Sequence, residues 1–206
     1  MFVQRCIKGI WGGPGGLAGE NDADADRITQ GGEGIRCNWW RNRGQPAPEQ
    51  VEGRLRAHEL HDHIHRYASA GPLTPFISLT AGSVERDRVA SINRLLTAEE
   101  VALRFATDWG RRPGYLFHCW VLVGLNPAVE VQAVAEEVRE LHTYTRWSDF
   151  QLEGEITAKL LVPSHQIERW AYWDISIDPA APLRQHTNPR YRPPERVSNL
   201  REALAR

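Results

Sequence analysis

An α+β fold is the prediction, and two observations carry it. Short apolar runs of strand length recur along the chain, and amphipathic helical stretches lie between some of them. The 206 residues suit one domain, with 41% hydrophobic and 25% charged residues and a formal net charge of −1. Such a composition excludes global disorder, collagen and coiled coil, and it carries no chain-wide basic field for nucleic acid. No apolar run approaches the roughly 20 residues of a membrane span, so no membrane partner is expected.

Phe2 to Ile7 reads as a first strand, and the glycines and proline of Gly9 to Gly16 read as a loop. Asn21 to Asp26 is an acidic stretch without EF-hand spacing and reads as a solvated loop. Ile35 to Arg43 is a second short strand or an ordered loop. Glu49 to Tyr67 reads as one helix with an imperfect apolar face at Val51, Leu55, His58, Leu60 and Ile64. Pro75 to Thr80 is a compact strand. Thr97-Ala-Glu-Glu100 is a capping box opening a helix whose one face holds Ala98, Val101, Ala102, Phe105 and Trp109. Tyr115 to Val123 is apolar on both faces apart from His118, the pattern of a central strand. A strand or turn at Val129–Val134 is expected before a short helix near Glu136–His142. Glu155 to Val162 and Ile167 to Ile175 are the last strands. From Pro179 apolar periodicity is lost, which predicts a domain over 1–177 and a Pro/Arg-rich tail over 178–206.

Cys6, Cys37 and Cys119 are too few and too scattered for a disulfide framework, and Cys119 reads as core. The start lacks a signal-peptide pattern, which leads us to expect a cytoplasmic protein or one delivered into a target cell without a cleaved signal. The Gly9–Gly16 loop lacks the P-loop lysine pattern, and no G-x-S-x-G elbow is present.

Three segments carry chemistry in a definite order: Phe76-Ile-Ser-Leu-Thr80, Gly114-Tyr-Leu-Phe-His-Cys-Trp-Val121 and Glu153-Gly-Glu155-Ile-Thr-Ala158. Val162-Pro-Ser-His-Gln-Ile167 with Trp170 follows as a proline-led turn into a strand. From Pro75 to Trp173 this order resembles the mono-ADP-ribosyltransferases of the cholera- and pertussis-toxin type. The resemblance implies two small, packed, mostly antiparallel sheets with helices around them and an NAD cleft between. It implies NAD as substrate and a macromolecular acceptor, with a protein side chain favoured over nucleic acid.

Within that resemblance Glu155 matches the catalytic glutamate, whose charge stabilises the oxocarbenium-like transition state as nicotinamide leaves. Glu153, two residues earlier on an extended segment, faces the same way and orients or deprotonates the acceptor. Ser78 is a hydroxyl in an apolar segment and needs a partner; the resemblance gives it the task of holding Glu155 beside the NAD ribose. Thr80 extends that polar face. Leu79 and Thr80 depart from the family's Ser-Thr-Ser. Arg5 on the first strand is the expected NAD-binding arginine, and Arg41, in Trp39-Trp-Arg-Asn-Arg43, is the alternative; a guanidinium fork suits a phosphate or the ribose site. Glu-x-Glu resembles the arginine-modifying members. The biological setting fits an intracellular toxin, a delivered effector or a regulatory enzyme.

Two rival readings remain from the residues. His58, His61 and His65 fall at i, i+3 and i+7 on one helical side, which with Asp62 suits a zinc-dependent hydrolase. His61 or His63 alternatively touches the adenine side of NAD. The other rival is a non-catalytic binding module with the same fold.

Overall fold

The computed structural model describes residues 2–13, 21–81, 97–123, 134–137 and 155–194. Strand β1 (Phe2–Trp11) pairs antiparallel along its whole length with the central strand β4 (Gly114–Val123), from Phe2↔Val123 to Trp11↔Gly114. β1 therefore runs four residues beyond the expected Ile7. Its glycine is a packing device: a Cβ on Gly9 would sit 2.3 Å from the Ala102 carbonyl oxygen, and one on Gly114 would sit 2.1 Å from that of Ala106. Helix α6 (Ala98–Ala106) rests directly on this bare backbone.

The helices preceding it differ from expectation. The acidic stretch is helix α1 (Asp22–Ile28), capped by Asn21, with Asp22 and Asp24 in the first turn, where the helix dipole favours carboxylates. Strand β2 (Ile35–Arg36) is followed by helix α2 (Asn38–Arg43), so Trp39–Arg43 is helical. The single helix expected over 49–67 is divided into α3 (Pro48–Arg54), α4 (Ala57–His65) and α5 (Tyr67–Ala70). The break falls where Leu55 turns in to pack with Leu60, Ile64 and Phe76.

Strand β3 (Phe76–Thr80) pairs antiparallel with β6 (Glu155–Lys159), in the register Ser78↔Thr157 and Thr80↔Glu155. Strand β5 (Val134–Glu137) stands where a helix was expected to begin at Glu136, and it lies between β6 and β4. A short strand β7 (Leu161–Val162) pairs with β2, and β8 (Ile167–Trp173) follows a 3₁₀ turn at Ser164–Gln166. The last strand, β9 (Arg184–Thr187), pairs with β8. Arg184–Thr187 falls inside the expected tail, so the sheet does not end at residue 177.

The result is an α+β fold with a largely antiparallel seven-stranded sheet, order β1-β3-β6-β5-β4-β8-β9, and the small β2–β7 sheet. Two small, packed, mostly antiparallel sheets were expected; the two observed are unequal, and in the larger one β1 pairs with β4 on one side and with β3 on the other, so the strands close a circuit. The main core lies on one sheet face, where Tyr115, Phe117, Cys119 and Trp170 meet Ala25, Ile28, Ile35 and Val51. On the other face Ala102 and Ala106 of α6 cover Ile7, Leu116, Ala171 and Trp173. α6 buries Val101, Ala102 and Ala106, while Phe105 and Trp109 are exposed, contrary to the face expected for them. The capping box is as expected: Thr97 Oγ1 accepts from the Glu100 N–H at 3.2 Å, and Glu100 accepts from the Thr97 N–H at 2.8 Å.

Candidate functional site: a carboxylate, a serine and a lysine at a strand fork

The fork is produced by pairing. β1 meets β3 only at Ile7↔Thr80, whereas β1–β4 and β3–β6 are paired along their lengths. Beyond that junction a cleft of about 350 Å³ opens beside Lys8, His63, Ser78, Thr80, Phe105 and Glu155. An adjoining hollow of about 200 Å³ shares Lys8, His63 and Ser78 and adds Arg36, Asn38 and Arg41. One half is cationic and the other, with Ile7, Ile64, Tyr67 and Ala102, is mainly apolar.

Glu155 opens β6 and is buried at 8% exposure. Burial raises its pKa above the ordinary glutamate value, while the hydrogen bond from Ser78 and the nearby Lys8 charge oppose that rise. Ser78 Oγ lies 2.9 Å from His63 Nε2, and His63 Nδ1 lies 2.8 Å from Thr74 Oγ1. Thr74 Oγ1 in turn accepts the Phe76 N–H at 3.2 Å. With Glu155 ionised, one proton assignment satisfies the chain: Thr74 O–H donates to His63 Nδ1, His63 Nε2–H donates to Ser78 Oγ, and Ser78 O–H donates to Glu155. His63 is 3% exposed, and burial together with the Lys8 charge lowers its pKa to about 3. It is neutral at physiological pH, so its 3.9 Å approach to Glu155 is not an ion pair.

Lys8 was not expected. It shares the inward face of β1 with Cys6 and Ile10, following strand alternation. Desolvation lowers its pKa to about 8, against the opposing pull of Glu155. The sequence signal was a single cation in the alternation Cys6–Lys8–Ile10, hidden because Gly9 reads as a strand breaker. His63 had a signal too, in the 3–4–7 spacing Leu60, His63, Ile64, Tyr67.

The structure brings Ser78, Thr80 and Glu155 together at the cleft, with Arg41 beside the cationic half. Arg5 does not join them. It lies on the opposite face of β1 from Lys8, with its side chain 65% exposed, and it pairs with Glu168 at 3.8 Å. Glu153 lies outside the described residues. The histidine cluster is dispersed: His63 turns inward to Thr74 and Ser78, while the His61 and His65 rings lie 4.6 Å apart and His58 is largely exposed. Among the described residues, no group of three His, Cys, Asp or Glu converges as a metal site. None of the described helices is long and apolar enough to cross a membrane.

The class defined by fold and site is an α+β protein with a buried glutamate, a serine and a lysine gathered at a fork between two strands. No family model and no curated protein matches the chain. Among solved structures the chain is similar to EcPltA, with a TM-score of 0.45 and 14% identity over 93% of this chain and 89% of that chain. A likeness of that degree carries no argument about the site, and the functional reading rests on the geometry.

Proposed function

We propose that the chain is an NAD-dependent mono-ADP-ribosyltransferase that breaks the nicotinamide–ribose bond and passes ADP-ribose to a macromolecular acceptor. The carrying observation is that Ser78 and Glu155, the residues singled out by the motif order, line one cleft together with Lys8, where Ser78 and the Lys8 charge both favour the ionised form of Glu155. Lys8, Arg36 and Arg41 suit a diphosphate, and the apolar half suits a flat pyridine ring.

In this reading Ser78 holds Glu155 in one rotamer and His63 holds Ser78. Glu155 then stands where positive charge develops on the ribose. The C1′–N bond breaks, nicotinamide leaves with the electron pair, and the acceptor's lone pair forms the new C1′ bond while its proton passes to a base. Burial makes the Glu155 charge more effective in that step, because little solvent screens it. Glu153 remains the proposed acceptor-facing base, and a protein side chain the proposed acceptor.

The test is nicotinamide release from labelled NAD by purified protein, with and without a cell lysate. Glu155→Gln is nearly isosteric and sits in a site that already disfavours charge, so it should fold normally and lower turnover by on the order of 100-fold or more. Undiminished turnover in that variant would overturn the proposal. NAD that binds without being consumed by the wild type would identify a binding module instead.

A further inference from the structure

We propose that Cys6 and Cys119 are a dithiol–disulfide site, with a small-molecule disulfide of the glutathione type as its oxidant. The two residues are direct cross-strand partners in the β1–β4 ladder. Their Sγ atoms lie 3.5 Å apart, and the residues are 3% and 6% exposed. Partners directly opposite in an antiparallel pair hold their Cβ atoms about 4.5–5.5 Å apart, close enough that small side-chain and backbone adjustments let the sulfurs bond. Cys37, the other cysteine, is buried and directs its sulfur at the Trp40 N–H, 3.5 Å away.

The site has a neighbour that matters for reactivity. Lys8 is two residues from Cys6 on the same strand face, and its ammonium is close enough to feel the charge on Cys119. A thiolate is the attacking species, and a nearby cation favours it. The opposing influence is the Cys119 contact and burial, which push the Cys6 thiol well up. The thiolate of one cysteine attacks the oxidant's disulfide and one small thiolate leaves. The other cysteine then attacks the mixed disulfide and expels the second. The two cysteines together lose two electrons and two protons, and the oxidant is reduced to two thiols.

The bond would join residues 113 apart in sequence. It would also staple β1 to β4 two residues from Lys8. This inference does not depend on what the cleft binds.

The experiment uses the full chain, unfolded and reduced, then refolded in a series of reduced and oxidised glutathione ratios, so that burial does not limit access. Free thiols are alkylated and the products mapped as non-reduced peptides. The expected result is a Cys6–Cys119 linked peptide that appears as one two-electron step, with Cys37 alkylated throughout. Cys37→Ala should retain the linkage, and the oxidised wild type should melt several degrees above the reduced form. Three alkylated cysteines at every ratio, or a linkage through Cys37, would overturn the proposal.

Discussion

At the scale of single residues the site turns on which cation enters the cleft. Lys8 and Arg5 are three residues apart on one strand, so they project from opposite faces. Lys8→Met should weaken NAD binding by about 1–3 kcal/mol, the scale for losing a charge-assisted partner, while Arg5→Ala should leave it unchanged. Isothermal titration of both variants, with Arg41→Ala alongside, checks this; loss in Arg5→Ala alone would restore the arginine as the binding residue. A lysine also titrates where an arginine does not. Affinity for NAD should fall as pH rises through about 8, and Lys8→Arg should move that fall upward. Stability runs the other way: the folded pKa lies below the unfolded one, so the cost of burying the cation is relieved as pH rises from about 8 towards 10.5.

His63 has the same sign at lower pH. Its pKa is lowered from 6.5 to about 3 in the folded state, so the unfolded chain binds the extra proton. Folding stability should therefore fall as pH drops from about 6.5 to 3. Urea unfolding at a series of pH values should show a shallower acid loss in His63→Gln than in the wild type.

At the scale of elements, the packing of α6 on β1 and β4 keeps the fork open on one side. Ala102 both touches the Gly9 backbone and lines the cleft. Gly9→Ala should push α6 off the sheet at a cost of about 1–3 kcal/mol, the range for overpacking. A denaturation midpoint unchanged by this substitution would mean the helix shifts freely. α1 is tied in a different way. Its Asp22 receives the Tyr115 hydroxyl at 2.9 Å and the Arg184 guanidinium at 2.8 Å, and its Asp26 receives Trp170 Nε1 at 2.8 Å. The acidic stretch that reads as solvated is thus a set of clamps on the central and last strands.

At the scale of the whole molecule, residues 180–194 are part of the fold. Asn188 is buried at 2% exposure and donates to the carbonyls of Ser164 and Ile167, both at 2.8 Å. Trp120 Nε1 donates to the Arg192 carbonyl at 2.8 Å. Truncation after residue 178 would strip β9 from β8 and remove these partners, leaving buried polar groups unpaired at roughly 1–3 kcal/mol each. The truncated chain should lose its cooperative melting transition by circular dichroism, and an intact transition would show that the segment is dispensable.

Strand and helix types were legible wherever local periodicity and burial agree. Phe76–Thr80, Thr97–Ala106, Tyr115–Val123 and Glu155–Lys159 could be read because each is apolar on a face that the fold buries, and the hydroxyl of Ser78 in an apolar strand announced a need for a partner without naming it; Glu155 came from the resemblance. What the sequence by itself determined was therefore the α+β class, the central strand and the capped helix. Only the tertiary structure decided which cation and which histidine join Ser78 and Glu155. Lys8 lines the cleft because β1 continues through Gly9, whose bare backbone lets α6 lie on it. His63 is selected among the four histidines because α4 turns its Leu60–Ile64 side to the core. Arg184–Thr187 shows the same limit: an edge strand with both faces exposed has no hydrophobic period to announce it, and its pairing with β8 is made by backbone hydrogen bonds that any sequence can supply.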